Sequence, residues 1–251
     1  KNEEGESSGS DNLIDKAKKE LSLERVFEFA VHEFLPYSSQ GDMIRKSVQV
    51  NEEIAQEGLK NQYGLGVGKL LARNQNSSNG ANWSACAVIS AAAGADARMA
   101  GAPLPVVTNS GSGNQGITAT VPVVAVAKSL NKDEETMLRA VALSNLIAIY
   151  IKLKFGRLSA LCGASVAGTG AACGITYLLG GGFQEICFAI QNMAGNITGM
   201  LCDGAKSDCS LKIVTAIQAA TQAALMAVNG ISVPFTDGIV EKKAQDTIEN
   251  I

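Results

Sequence analysis

From Trp83 to Met99 nearly every side chain is small, and this run constrains the fold more than any other stretch of the chain. A segment made of Ala, Gly, Ser and Cys has little bulk to bury, so it gains most where another backbone packs closely against it. The same texture returns from Leu158 to Leu179 and from Cys209 to Asn229, while aromatic residues make up only 5% of the sequence. The pattern predicts tightly packed helices.

The remaining segments agree. Asn12 to Phe34 places Leu13, Ala17, Leu21, Val26, Phe27, Ala30, Val31 and Phe34 at helical spacing, with Pro36 as a stop. Asp42 to Tyr63 reads as a second amphipathic stretch ended by Gly64. Arg73 to Asn82 is a polar connection, and Gly101 to Gly116 breaks all periodicity. Helix-like patterns resume at Thr118–Leu130, Asp133–Lys154, Leu158–Leu179, Phe183–Met200 and Cys209–Asn229, with an amphipathic end from Asp237 to Ile251. No period-two alternation is sustained, so the expected class is all-α or nearly so. Residues 1–11 read as a flexible tail or linker stub, and 12–251 as a single helical domain.

Charge and cysteine usage narrow the function. A net charge of −3, without a basic stripe, argues against a nucleic-acid partner. Leu158 to Gly182 comes nearest to a membrane span, but its many glycines and low aliphatic content fit a buried helix better. Six cysteines sit in apolar or Gly/Ala-rich surroundings with no export signal ahead of them, which suits free thiols or a metal site in a reducing cytoplasm.

Two constellations carry chemistry. The run Ser110-Gly111-Ser112-Gly113-Asn114-Gln115-Gly116 can present backbone N–H groups to a carboxylate or phosphate, although the same residues also make ordinary turns. It lacks the preceding strand and glycine spacing of a dinucleotide loop, and the Gly-Lys-Ser/Thr of a Walker loop. Cys202-Asp203-Gly204-Ala205-Lys206, with Cys209 behind it, could hold a thiolate before a helix. Spacing alone establishes no metal site. Cys86, Cys173 and Cys187 read as small buried hydrophobes. The single histidine, His32, reads as a surface or boundary residue, which leaves no basis for a histidine-dependent triad.

Much of the chain from about Asn51 onward resembles the L-cysteine desulfidase family, which is related to the α domain of iron–sulfur L-serine dehydratases. The resemblance rests on Glu57-Gly58-Leu59, Tyr63-Gly64-Leu65, Ala97-Arg98-Met99-Ala100-Gly101 and the Ser110–Gly116 run. Further motifs are Ala148-Ile149-Tyr150-Ile151-Lys152, Gly156-Arg157-Leu158-Ser159-Ala160-Leu161-Cys162-Gly163, Cys202 to Lys206 and Val233-Pro234-Phe235-Thr236-Asp237-Gly238-Ile239, all in family order. It implies a [4Fe-4S] cluster on three cysteines, with Cys162 and Cys202 at two ligand positions. The third belongs to an N-terminal portion, whose Cys-Thr-Glu-Pro-like motif this chain does not contain. The chain therefore resembles the C-terminal part of a longer protein.

The implied reaction is β-elimination from L-cysteine, giving hydrogen sulfide, pyruvate and ammonia, with L-serine as the alternative substrate. A cluster-free homologue that binds an amino-acid-like metabolite is a further alternative. Ser110 to Gly116 would grip the substrate carboxylate. Lys152 and Lys206 are the candidate bases if burial lowers their pKa. Asp203 would cap the following helix or orient Cys202. Homo-oligomerisation and the presence of an N-terminal domain are left open.

Overall fold

The computed structural model describes residues 21–75, 82–155 and 159–251. Among these residues ten α-helices follow one another, and the only extended pairings are two isolated bridges. Helix α1 (Leu23–Glu28) continues as a π turn over Phe29–Glu33, followed by α2 (Asp42–Lys60) and α3 (Val67–Asn74). The small-residue run forms α4 (Trp83–Met99), and α5 is Gly113–Ser129. Then come α6 (Glu134–Phe155), α7 (Gly163–Leu178), α8 (Phe183–Ile197), α9 (Cys209–Val228) and α10 (Ala244–Asn250).

The small residues do what their size permits. A Cβ on Gly58 of α2 would lie 2.0 Å from the Ala93 carbonyl oxygen, and one on Gly68 of α3 would lie 2.4 Å from the Ala93 nitrogen. Both helices thus cross α4 at one alanine, backbone against backbone. On the other side, Gly170 of α7 approaches the Ser144 carbonyl of α6, where a Cβ would sit 2.3 Å away. Larger side chains fill the outer core, with Ile54, Ile117, Leu138, Leu143, Ile147, Ile175 and Ile186 all fully buried. Each contributes roughly 1.5–3 kcal/mol relative to exposure.

Buried asparagines hold the connections. Asn51 on α2 donates its amide to the Val107 carbonyl (3.1 Å) and accepts from the Val107 N–H (2.9 Å), in the manner of a neighbouring strand. Asn192 on α8 repeats the device, donating to Ile231 O and accepting from Val233 N, both at 2.9 Å. Such pairing satisfies backbone groups that helices cannot reach.

Several boundaries differ from the sequence reading. Helix α5 begins at Gly113, five positions before the expected Thr118, because Ser112 caps it and the glycines pack as its first turn. Helix α3 was hidden between a glycine stop and a polar loop, and the C-terminal helix is confined to Ala244–Asn250. Leu158 to Gly182 yields only the short α7. The helices long and apolar enough to cross a membrane are instead Glu134–Lys154 and Cys209–Val228, with 61% and 50% of the qualifying window in each buried inside the fold. Both serve as core helices. The expected tail at 1–11, the start of the first amphipathic stretch, most of the Arg73–Asn82 loop and residues 156–158 lie outside the described residues.

Candidate functional site

The two family-type cysteines meet across an antiparallel bridge between Leu161 and Leu201. Cys162 donates its N–H to Met200 O at 2.9 Å, and Cys202 donates to Ala160 O at 2.7 Å. Cys162 is buried at the N-cap of α7, whereas Cys202 is exposed in the loop ahead of α9. Burial raises the Cys162 thiol, as do the nearby Cys202 and Cys209, while the Ala164 N–H and Lys212 act in the opposite direction. Helix N-terminus and lysine are the two features that favour a thiolate here. Cys209 opens α9, and its Sγ accepts from the Lys206 N–H at 3.5 Å.

Asp203 organises the loop. Its carboxylate pairs with Lys206 at 2.6 Å and with Lys212, and Lys212 also donates to Leu201 O at 3.2 Å. The hydrogen bonds from the two lysines hold the Asp203 carboxyl well below the usual carboxylate range. This corrects the expectation that Asp203 caps the next helix: the N-cap of α9 is Asp208, which makes no side-chain cap bond. It also reverses the premise offered for Lys206 as a base. Lys206 is exposed, and its hydrogen bond to Asp203 raises its pKa. Lys152 lies half-buried in the last turn of α6, ahead of the segment that leads to Cys162, without a hydrogen bond or ion pair among the described residues.

The glycine-rich run divides into a turn and a helix start. Asn109 and Ser112 exchange N–H···O bonds of 3.1 and 2.9 Å around Ser110 (φ +50°) and Gly111 (φ +80°), the two-residue hairpin turn that requires positive φ at both positions. Ser112 Oγ then accepts from Gln115 N at 3.3 Å, and Ser112 O accepts from Gly116 N at 3.1 Å. The N–H groups of Gly113 and Asn114 are thereby left at the open end of α5, without partners among the described residues. Gly113 is needed because a Cβ there would meet Arg98 Nε at 2.2 Å. Gly116 is needed because a Cβ would meet Val107 O at 1.9 Å.

Gln115 joins this turn to the cysteine bridge. A Cβ on Gly163, next to Cys162, would lie 2.8 Å from the Gln115 side-chain amide. The N-termini of α5 and α7 thus abut, and α9 starts beside them. Gln115 is 6% exposed, and its Oε1 is buried with no hydrogen-bond partner. A hollow of about 400 Å³ borders Leu71, Ser84, Val88 and Gln218, several turns along α4 and α9 from Cys162 and Cys202.

Sequence reasoning missed two residues at this end. Arg98 donates to Asn114 Oδ1 at 3.1 Å, and Asp96 accepts from Gly68 N at 2.9 Å while almost fully buried. The Arg98 motif was visible, but a cation near a helix C-terminus reads as an ordinary dipole partner. Asp96 sits in an alanine run and gives no periodic signal. Of the three cysteines read as small buried hydrophobes, Cys173 is fully buried and its thiol is raised, whereas Cys86 and Cys187 are only partly buried, burial pushing Cys187 up to about 11. Exposed His32 lies near Glu28 and edge-on to Phe27. No group of three or more His, Cys, Asp or Glu side chains is assembled for a metal among the described residues.

Residues 14–251 match the family described as serine dehydratase alpha chain. Among curated relatives, a UPF0597 protein of Clostridium perfringens is 50% identical over 210 residues, covering 83% of this chain and 49% of the relative. A UPF0597 protein of Phocaeicola vulgatus is 44% identical over 239 residues, 94% of this chain and 55% of the relative. One from Aeromonas hydrophila is 44% identical over 236 residues, with 94% and 53% covered. The chain spans about half the length of the relatives it matches.

Proposed function

We propose that this chain, which belongs to the serine dehydratase alpha-chain family, forms the thiolate-bearing and substrate-receiving part of a cytoplasmic β-eliminating amino-acid lyase. L-Cysteine is the preferred substrate, with hydrogen sulfide, pyruvate and ammonia as products. The observation that carries the reading is the placement of Cys162 and Cys202 on the two sides of one backbone bridge, beside the open first turn of α5.

The donor set fits part of a [4Fe-4S] site. Two cysteines flank one backbone bridge diagonally, one of them at a helix N-terminus, with Lys212 supplying positive charge. Relatives about twice as long have ample chain for the third thiolate. When bound, the cluster would supply a Lewis-acidic iron to the leaving sulfur.

The protein's own groups account for the remaining steps. The Gly113 and Asn114 N–H groups receive the substrate carboxylate, with Ser110, Gly111 and Ser112 shaping the turn. Lys152 is the remaining candidate base, because Lys206 is held charged by Asp203. Removal of the α-proton expels sulfide as the Cβ–S bond breaks, and hydrolysis of the aminoacrylate gives pyruvate and ammonia.

The full-length protein, reconstituted anaerobically with iron and sulfide, is expected to release sulfide and pyruvate from L-cysteine. Cys162→Ala and Cys202→Ala should each lose both the iron chromophore and the activity. Preferential turnover of L-serine would reassign the leaving group to oxygen. An iron-free, inactive protein that still binds amino acids would favour the cluster-free binding homologue.

A further inference from the structure

Two features at the start of α5 are incomplete as they stand. The Arg98 side chain packs against Gly113, where a Cβ would be 2.2 Å from Nε and 2.9 Å from Cζ. Its hydrogen-bond partners are Asn114 Oδ1 at 3.1 Å and the weak acceptor Met99 Sδ at 3.3 Å, and no carboxylate pairs with it among the described residues. Arg98 is favoured by the C-terminus of α4, in whose last turn it sits, but with the open Gly113 and Asn114 N–H groups it concentrates positive potential at the start of α5, a setting that an added anion would stabilise. On the side of the same turn facing Cys162, the Gln115 side chain is 94% buried, the complement of its 6% exposure, and its carbonyl oxygen lacks a donor. A buried acceptor of this kind costs free energy unless something donates to it.

We propose that Arg98 and Gln115 flank the first turn of α5 as a receptor for the two charged ends of an α-amino acid, the guanidinium binding the carboxylate and the Gln115 carbonyl oxygen accepting from the ammonium. The proposal rests on the lyase reading for its substrate class and adds the residues that select it. With carboxylate and ammonium fixed in that order across the helix mouth, the β-substituent is directed toward Cys162 and Cys202. Arg98 and Gln115 are therefore specificity residues, and ligands lacking either charged end are rejected.

The test uses the full-length protein and three probes without a thiol: L-alanine, which keeps both charged ends; ethylamine, which lacks the carboxylate; and propionate, which lacks the ammonium. For the wild type, L-alanine is expected to inhibit sulfide release competitively, with the other two weaker by roughly tenfold or more. Equal inhibition by all three would overturn the proposal without any variant. Arg98→Gln should raise KM for L-cysteine and Ki for L-alanine together by roughly tenfold to a hundredfold, with kcat changing by about threefold or less. Inhibition by ethylamine should not move. Gln115→Leu should weaken L-alanine but not propionate, and Arg98→Lys should recover part of the loss. Uniform weakening of every probe would mark a structural role and overturn the proposal, as would no change.

If the wild type turns nothing over, calorimetric titration with L-alanine separates the two readings. Binding that depends on Arg98 keeps this proposal while the lyase reading fails; absence of binding overturns the proposal. Turnover with an Arg98-independent KM leaves the lyase standing and removes the receptor.

Discussion

Cys162 and Cys202 lie diagonally across one two-stranded bridge, tied by the Cys162 N–H to Met200 O bond of 2.9 Å and the Cys202 N–H to Ala160 O bond of 2.7 Å. Their side chains contribute nothing to that pairing, so their removal separates chemistry from folding. In the metal-free protein Cys202→Ala, at an exposed site, should change stability by no more than about 0.5 kcal/mol, and Cys162→Ala, at a buried one, by about 1 kcal/mol. Denaturant melts of the metal-free variants check this, and a collapse of either fold would contradict the backbone origin of the bridge.

Gly163 and Gly116 should respond differently to the same methyl group. At Gly163 the clash is with the Gln115 side chain at 2.8 Å, which can move. Gly163→Ala is therefore expected to cost about 1–3 kcal/mol and to reproduce the Gln115 effect on KM. At Gly116 the clash is with the Val107 carbonyl at 1.9 Å, and neither backbone can yield locally. Gly116→Ala should be the more destabilising of the two in urea titrations.

Asp96 makes stability depend on pH in a defined direction. Burial raises its carboxyl above the ordinary range, outweighing the lowering effect of the Gly68 N–H. A raised folded-state value means the associated stability is present at pH below the unfolded pKa and is lost as pH rises through the folded one. The stability of the wild type minus that of Asp96→Asn should therefore fall as pH rises from about 4, the unfolded carboxylate value. A flat difference over that rise would show that the carboxyl is not shifted.

Tyr150 packs in the core with its hydroxyl oxygen buried and unpartnered, and burial raises the phenol to about 12. Removing an orphaned polar atom relieves its desolvation, so Tyr150→Phe should be neutral or stabilising by up to about 1 kcal/mol. A loss well beyond 1 kcal/mol in a thermal or denaturant melt would reveal a partner for that hydroxyl.

The helical class was legible because small-residue runs leave few alternatives, and α4 begins and ends where the sequence placed it, at Trp83 and Met99. Helix α5 was misread because Gly113 and Gly116 look like breakers until Arg98 and Val107 are seen to occupy the space a Cβ would take. Local propensity cannot report such tertiary contacts. The candidate site was half legible. Cys162, Cys202 and the Ser110–Gly116 run came from motif resemblance, whereas Arg98 and Asp96 act through partners far away in sequence. Lys206 shows the limit of composition, because its charge is fixed by Asp203 three residues earlier, in a loop whose geometry spacing did not reveal.

The Leu161–Leu201 bridge also sets an order of events during synthesis. Between its two halves lie the whole of α7 and α8, so closing it requires both helices to form and pack antiparallel first. Contacts that close long loops form late in folding, after local structure has reduced the entropy to be lost. The two thiols therefore come together only on a nearly finished chain. Nascent protein presents them singly, so any centre that needs both thiols can be completed only after folding.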